Sequence, residues 1–350
     1  MKHVLPFETI KREVLTKKKA ETDPSYGCKP EERPVEVLIN YGVVNINKPK
    51  GPTSHQAAEY LQKVLHINKA GHSGTLDPGV TGVLPMALGR ATRIVQTLLP
   101  AGKEYVGIMH LHKPVDKNKI KKVLDEFVGK IKQLPPIKSA VKRQVRERRI
   151  YYIDILEIEN QDVLFRIGCQ AGTYIRKFCH DAGKKLKVGG HMAQLIRTKA
   201  GPFTEKDMVT LHDLSDSYWL WKIGIRDSKF TKQSFVKEKQ DQSIKKYIKP
   251  VEEAIPHIPK VWIMDNAIDT VCHGSDLKVP GISKLNSEIK KEDTIAIMSL
   301  KDELVALGIA EISSGEMMDR ERGVAVKTHK VFMEPGTYPK YTRLSQTKVS

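Results

Sequence analysis

The sequence predicts an α+β protein: a mixed, mostly antiparallel sheet with flanking helices, followed by a small β-barrel-like module. Three observations predict it. Segments of period two are interspersed with segments of period 3.6, without a regular βαβ repeat. Beyond Pro250 the pattern becomes short apolar runs separated by Gly, Ser and charged turns. Hydrophobic residues make up 40% of the 350, enough for a packed core.

Residues 1–35 are polar, basic and proline-containing, and read as an arm. Residues 42–46 are a short apolar strand, ended by the turn-forming Asn47-Lys48-Pro49-Lys50-Gly51-Pro52. Thr53 or Ser54 caps a helix whose inward face is Ala57, Ala58, Leu61, Val64 and Leu65. A glycine-rich loop runs over 71–82, and 103–111 reads as a strand. Asp116 caps a second helix with Ile120, Val123, Leu124, Phe127 and Val128 on one face, stopped by Gly129. Strands follow at 150–159 and 163–169. Thr173 then caps a short helix with Phe178, Cys179, Ala182 and Leu186 inward, and a further strand lies near 194–198. The stretch 231–249 is rich in Lys and Gln and ends at Pro250, which sets the boundary between a domain over 36–250 and a module over 251–340. Within the module, strands are expected at 261–264, 294–299, 303–312 and 323–333. No internal repeat is visible.

The formal net charge is +18, from 59 basic and 41 acidic residues. So large and one-sided an excess points to a polyanion, nucleic acid first. A surface kept charged for solubility or heat tolerance is the competing reading. The cations come in groups: Lys17, Lys18 and Lys19; then Lys142, Arg143, Arg146, Arg148 and Arg149; then Lys184, Lys185 and Lys187. Any one group alone reads as a solvated face. The four cysteines, Cys28, Cys169, Cys179 and Cys272, form no CxxC pair, so no metal site is expected and a reducing compartment is. With no apolar leader and no run of membrane-span length, the chain reads as intracellular, soluble and without a membrane partner.

The most unusual local feature is Gly71-His72-Ser73-Gly74-Thr75-Leu76-Asp77-Pro78-Gly79. Glycines around a carboxylate keep backbone bulk away and let a substrate approach. Asp before Pro favours an extended or turn conformation. An ordinary Asx turn is the plainer reading of this pattern alone. It is not a nucleophile elbow, because Thr75 stands where that motif needs glycine. Walker A and zincin patterns are absent.

Extended through Thr81-Gly82-Val83-Leu84-Pro85, this segment resembles the signature of the TruB-type pseudouridine synthases, and within them the archaeal relatives of dyskerin. Three more segments agree in the family's order: Asn47-Lys48-Pro49 with Gly51-Pro52-Thr53-Ser54-His55, then Lys103-Glu104-Tyr105, then Gly172-Thr173-Tyr174-Ile175-Arg176. The tail is similar to the family's PUA module, through Gly274, Leu277, Pro280 and Gly281, and through Phe332-Met333 followed by Pro335-Gly336-Thr337-Tyr338-Pro339.

The resemblance implies isomerisation of uridine to pseudouridine in rRNA or tRNA, without a cofactor, as the catalytic subunit of an H/ACA guide-RNA particle. Implied partners are the guide RNA, the substrate RNA, small Gar-family and Nop-family proteins and, through the particle, a kink-turn-binding ribosomal-like protein. Asp77 matches the family's essential aspartate, Tyr105 its tyrosine against the target base, and Arg176 the arginine beside the aspartate. Tyr174 and Leu195 match pocket residues, and Lys48 and His55 match a motif that supports the loop. Lys142, Arg143, Arg146, Arg148 and Arg149 would contact substrate RNA, and Gly274, Leu277 and Gly281 the guide. The arm would pack on the PUA module. Little room lies between Pro136 and Tyr151 for the RNA-gripping insertion of the bacterial tRNA enzymes, which favours help from a guide. A cytoplasmic setting is implied, or a nucleolar one for a eukaryote. Three alternatives stay open: a guide-independent enzyme acting on the TΨC-loop uridine of tRNA, a non-catalytic RNA-binding scaffold, and a glycosylase releasing free base.

Overall fold

The computed structural model describes residues 4–135, 142–228 and 241–340. Two compact units emerge. One comprises the residues up to Ile10 with Ile39–Lys249; the other comprises Lys11–Leu38 with the chain from Pro250 onward. Each is α+β.

The first unit is built on a ten-stranded sheet. Its order is Ile248–Pro250, Gly42–Lys48, Thr81–Leu88, Gly190–Ala200, Lys103–Leu111, Asp162–Cys169, Arg146–Glu159 and Gly129–Gln133. Ala70–His72 pairs with Thr81–Leu88, and Phe203–Thr204 with Gly190–Ala200. Pairings through the middle of the sheet are antiparallel. The exception is Thr81–Leu88 against Gly190–Ala200, parallel through Thr81↔Ile196 and Gly82↔Arg197.

Helices cover this sheet where local chemistry starts and stops them. Ser54–Leu65 begins in a reciprocal box: the Thr53 hydroxyl accepts from Gln56 N at 3.1 Å, and the Gln56 side chain accepts from Thr53 N at 2.8 Å. Ala57, Ala58, Leu61 and Leu65 are buried, and His66 closes the helix in the left-handed region. Asp116 caps Lys117–Asp125 through Asn118 N and Lys119 N. That helix ends sooner than its apolar periodicity suggests, leaving Val128 45% exposed, and Gly129 opens a strand that the sequence did not suggest. Ile175–Lys185 is capped at Tyr174 rather than Thr173, whose hydroxyl instead donates to Gln170 O at 2.7 Å. Phe178, Cys179, Ala182 and Leu186 face inward. Phe178 meets Phe165 of the sheet and Phe127 edge-on, at 5.6 and 5.3 Å.

Two further elements departed from expectation. Thr81–Leu88 is a strand, not merely the end of a loop, and Leu211–Ser228 is a helix. Of the Lys- and Gln-rich stretch, 231–240 lies outside the described residues; Ile248–Pro250 adds the edge strand.

The second unit is a seven-stranded sheet in the order Val14–Thr16, Ile282–Asn286, Lys260–Ile263, Thr294–Met298, Leu304–Ala310, Val324–Val331 and Leu277–Lys278. The four strands read from the sequence are present, the first shifted by one residue and the other three with slightly tighter ends. Ile282–Asn286 and Leu277–Lys278 are additional, as is the helix Asp265–Cys272. Val14–Thr16 adds itself antiparallel to Ile282–Asn286. Nearby, buried Glu303 accepts from Tyr338 Oη at 2.6 Å, Ser299 Oγ at 3.1 Å and Cys28 N at 3.3 Å. The start of the arm belongs elsewhere: Leu5 is fully buried in the first unit, and Glu8 pairs with Lys199 at 2.9 Å.

Candidate active site

The glycine-rich loop spans the turn between Ala70–His72 and Thr81–Leu88, and it is pinned on both sides of Asp77. Before it, buried Ser54 Oγ accepts from Leu76 N at 2.8 Å and donates to Leu76 O at 3.2 Å. After it, the fully buried Lys48 amine donates to Pro49 O, Pro78 O and Val80 O at 2.9, 3.3 and 2.9 Å. Gly51 N also donates to Pro78 O, and Val80 N closes a turn onto Asp77 O, both at 2.9 Å. Leu76 and Val80 point into the core, each 3% exposed. Between these anchors the Asp77 carboxylate stays half exposed.

Arg176, in the first turn of Ile175–Lys185, donates to Asp77 Oδ2. Its mount is firm because Gln133 brackets Tyr174: Tyr174 N donates to Gln133 Oε1 at 2.9 Å, and Gln133 Nε2 to Tyr174 O at 3.1 Å. Tyr105 and Arg197 are register partners on adjacent strands, as are Gly107 and Leu195. Alternation puts all four on one face. Leu195, 8% exposed, lies over Gly107, where an added Cβ would meet its Cδ1 at 2.7 Å. Burial pushes the Tyr105 phenol pKa up, and the charge of the nearby Arg197 guanidinium offsets part of that. Asp77 is near enough to act electrostatically on both Tyr105 and Lys48. The structure thus brings Asp77, Arg176, Tyr105, Tyr174, Leu195 and Lys48 to one region. His55 stands exposed at its rim, edge-on to His72 at 4.9 Å. Burial, then His55 and Arg197, press the His72 pKa down to about 4.

The proposed RNA contacts spread more widely. Lys142 and Arg143 are exposed on a loop whose residues 136–141 lie outside the described part. Arg146 begins a strand opposite Gln133. Arg148 is committed to the fold, donating to Gly172 O at 3.2 Å and Glu147 O at 2.8 Å, while the Arg149 side chain is exposed. In the second unit Gly274 is exposed and Gly281 half-buried. Leu277 corrects the expectation of a surface contact: it is 1% exposed, and its side chain fills the core. Sequence reading overlooked Arg197, Lys103 and Ser54, whose partners are main-chain groups: carbonyls remote in sequence for Arg197, carbonyls two to five residues away for Lys103, and both backbone groups of Leu76 for Ser54. Among the described residues, no group of three or more His, Cys, Asp or Glu is arranged to hold a metal, and no helix is long and apolar enough to cross a membrane.

Comparison with known proteins bears on this arrangement. A probable tRNA pseudouridine synthase B from Methanopyrus kandleri is 53% identical over 336 residues, 96% of this chain and 95% of the relative. The chain belongs to the TruB family of pseudouridylate synthases. Enzymes of this family isomerise uridine in RNA, and the chain is one of them. The TruB N-terminal domain model matches residues 62–175, the tRNA pseudouridylate synthase B C-terminal domain 176–256, the PUA domain 259–332 and the DKCLD (NUC011) domain 4–58. Among solved structures, this TruB synthase resembles a chain of an H/ACA RNP bound to a substrate RNA containing 2'-deoxyuridine, at 50% identity and TM-score 0.87, covering 97% of this chain and 100% of that one. It also resembles a chain of a Cbf5-Nop10-Gar1 complex, at 53% identity and TM-score 0.88, covering 96% and 98%.

Proposed function

We propose that this chain converts uridine to pseudouridine within RNA as the catalytic subunit of an H/ACA-type guide-RNA particle, with Asp77 acting on the ribose of the target nucleotide. The carrying observation is the half-exposed Asp77 carboxylate, paired with Arg176 in a loop fixed on either side by Ser54 and Lys48. In the reaction the N1–C1′ bond breaks, the ring turns, and a C5–C1′ bond forms. C5 gives up a proton and N1 gains one, so the formula is unchanged and no redox partner is needed. A carboxylate can serve either by attacking C1′ or by taking the 2′ proton. In both roles it must be aimed, and the charge-assisted bond from Arg176 Nη2 aims it. Tyr105 offers the target base a ring, worth about 1–3 kcal/mol of stacking. Its pKa, raised by burial, keeps the phenol protonated near neutrality. Tyr174 and Leu195 complete the pocket, with Lys48 and His55 in support. The uridine must leave its stack to reach Asp77, at a cost of a few kcal/mol. Exposed cations such as Lys142, Arg143 and Arg149 offset that by gripping phosphate.

The relatives found in an H/ACA particle, and with Nop10 and Gar1, support the same partners here. Residues 36–250 would form the catalytic domain, and 251–340 the guide-binding module with the arm against it, its contacts near Gly274 and Gly281. In a cell without a nucleus this work is cytoplasmic. The test is reconstitution with guide RNA and the small particle proteins, read by carbodiimide labelling of the target uridine. Asp77→Asn should abolish labelling while substrate RNA still binds; full activity in that variant overturns the assignment. Labelling of unmodified tRNA without guide would instead favour the guide-independent enzyme, and released uracil a glycosylase.

A further inference from the structure

Arg197 is among the largest fully buried side chains, 1% exposed. A desolvated guanidinium is expensive to keep unless its donors are placed with purpose. Among the described residues no carboxylate forms a salt bridge with it. Nε donates to Val83 O at 2.6 Å, while Nη1 and Nη2 both reach Gly74 O, at 3.4 and 3.3 Å. Tyr105 is the register partner of Arg197 on the adjacent strand, and its hydroxyl lies near enough for the guanidinium to offset part of the rise that burial causes in its pKa. One planar group therefore touches the strand after the Asp77 loop and the loop itself three residues before Asp77, and it lies beside the phenol of its register partner. Two signature glycines are shaped around it. Gly74 holds φ +125° to turn its carbonyl toward the fork, and Gly82, at φ +100°, lets the Arg197 backbone approach so closely that a Cβ would lie 2.3 Å from its carbonyl oxygen.

We infer that Arg197 is a positioning residue for the isomerisation, holding the Gly74 carbonyl on one rigid fork beside the Tyr105 hydroxyl so that the ring and the Asp77 loop keep a fixed separation as the nucleotide enters; this rests on the function proposed above. Lysine retains the charge but not the planar set of donors. In the reconstituted particle under single turnover, Arg197→Lys should slow conversion by about a hundredfold, the scale of an ångström-sized misplacement. Substrate RNA should still bind within about twofold of the unaltered affinity, since the fork acts on geometry rather than on ground-state binding. In a Tyr105→Phe background the same change should cost less than about fivefold, because coupled residues are not additive. An unaltered rate in Arg197→Lys, or an equal loss in both backgrounds, overturns the inference. A merely structural role would lower the melting temperature without this coupling. Should the lysine variant not fold, arginine-selective ¹⁵N NMR of Tyr105→Phe, which keeps Arg197, decides the point: the Arg197 guanidinium signals should shift, and unmoved signals refute the contact. Failure of the unaltered particle to make pseudouridine would instead count against the proposed function and leave the NMR result standing.

Discussion

Lys103 illustrates how much of this site is settled by single side chains. It is 4% exposed, and its amine donates to Leu98 O, Leu99 O and Ala101 O at 3.0, 3.5 and 2.7 Å, beneath the loop that carries Asp77. Burial foremost, then the charge of Arg197, push its pKa from 10.5 down to about 7. Between those two values the unfolded chain holds a proton at Lys103 that the folded chain has released. Stability must therefore rise with pH from about 7 to 10.5, by at most about 1.4 kcal/mol per pH unit, and the penalty is fully present below pH 7. Lys103→Met removes this dependence, so the difference in unfolding free energy between the variant and the unaltered protein should slope over that window; a constant difference would refute the shift. At this scale the sequence was only partly legible. Asp77, Tyr105, Arg176 and Tyr174 stand in recognisable motifs, and the structure gathers them. Lys103 stands in the same motif as Tyr105, yet its bonds go to main-chain carbonyls, which leave no trace in residue type. Arg197 and Ser54 were hidden for the same reason.

Strands and helices were legible where an apolar period or an uninterrupted apolar run between turn residues marks them. Lys103–Leu111 was read to its ends, and Ser54–Leu65 through its cap and period. Thr81–Leu88 was missed, although equally buried runs at 42–46 and 303–312 were read, because Pro85 stands inside it and its first residues were counted with the glycine-rich loop. The Lys117–Asp125 helix was read too long because Phe127 continues its apolar rhythm after the chain has turned to meet Phe178. Gly82 shows what the hidden strand requires. It is the parallel register partner of Arg197, at a conformation side chains rarely adopt and with the neighbouring carbonyl in the way. Gly82→Ala must either strain the backbone or part the two strands. Strain at such a position costs on the order of 1–3 kcal/mol, and the clash adds to it. We expect a lower urea midpoint with an unchanged m-value, together with loss of turnover, because the displaced strand carries both Arg197 and Leu195. A midpoint equal to that of the unaltered protein would mean that the strands are not held this close.

At the scale of the whole molecule the deciding quantity is charge. An excess of +18 fits both an RNA-binding surface and a surface kept charged for solubility, and composition cannot separate them. Salt can. Each phosphate neutralised on a single strand releases counterions and contributes about 0.7 to the slope of log affinity against log salt, so six contacts give a slope of about −4. Lys142 and Arg143 are exposed and offer a direct test. Replacing both with alanine should make the slope shallower by about 1.4 and weaken binding of unrelated RNA sequences by a similar factor, since phosphate contacts position RNA without reading it. Arg148 should behave differently although it belongs to the same basic run. Its guanidinium is already held by Gly172 O and Glu147 O next to the Tyr174 cap, so its removal should disturb the site more than the salt slope. A sequence run cannot distinguish a cation that faces solvent from one spent on a neighbouring carbonyl. If the Lys142 and Arg143 double variant kept the full slope, or if the slope were flat from the start, the charge would be serving solubility and the electrostatic half of RNA recognition would have to lie elsewhere.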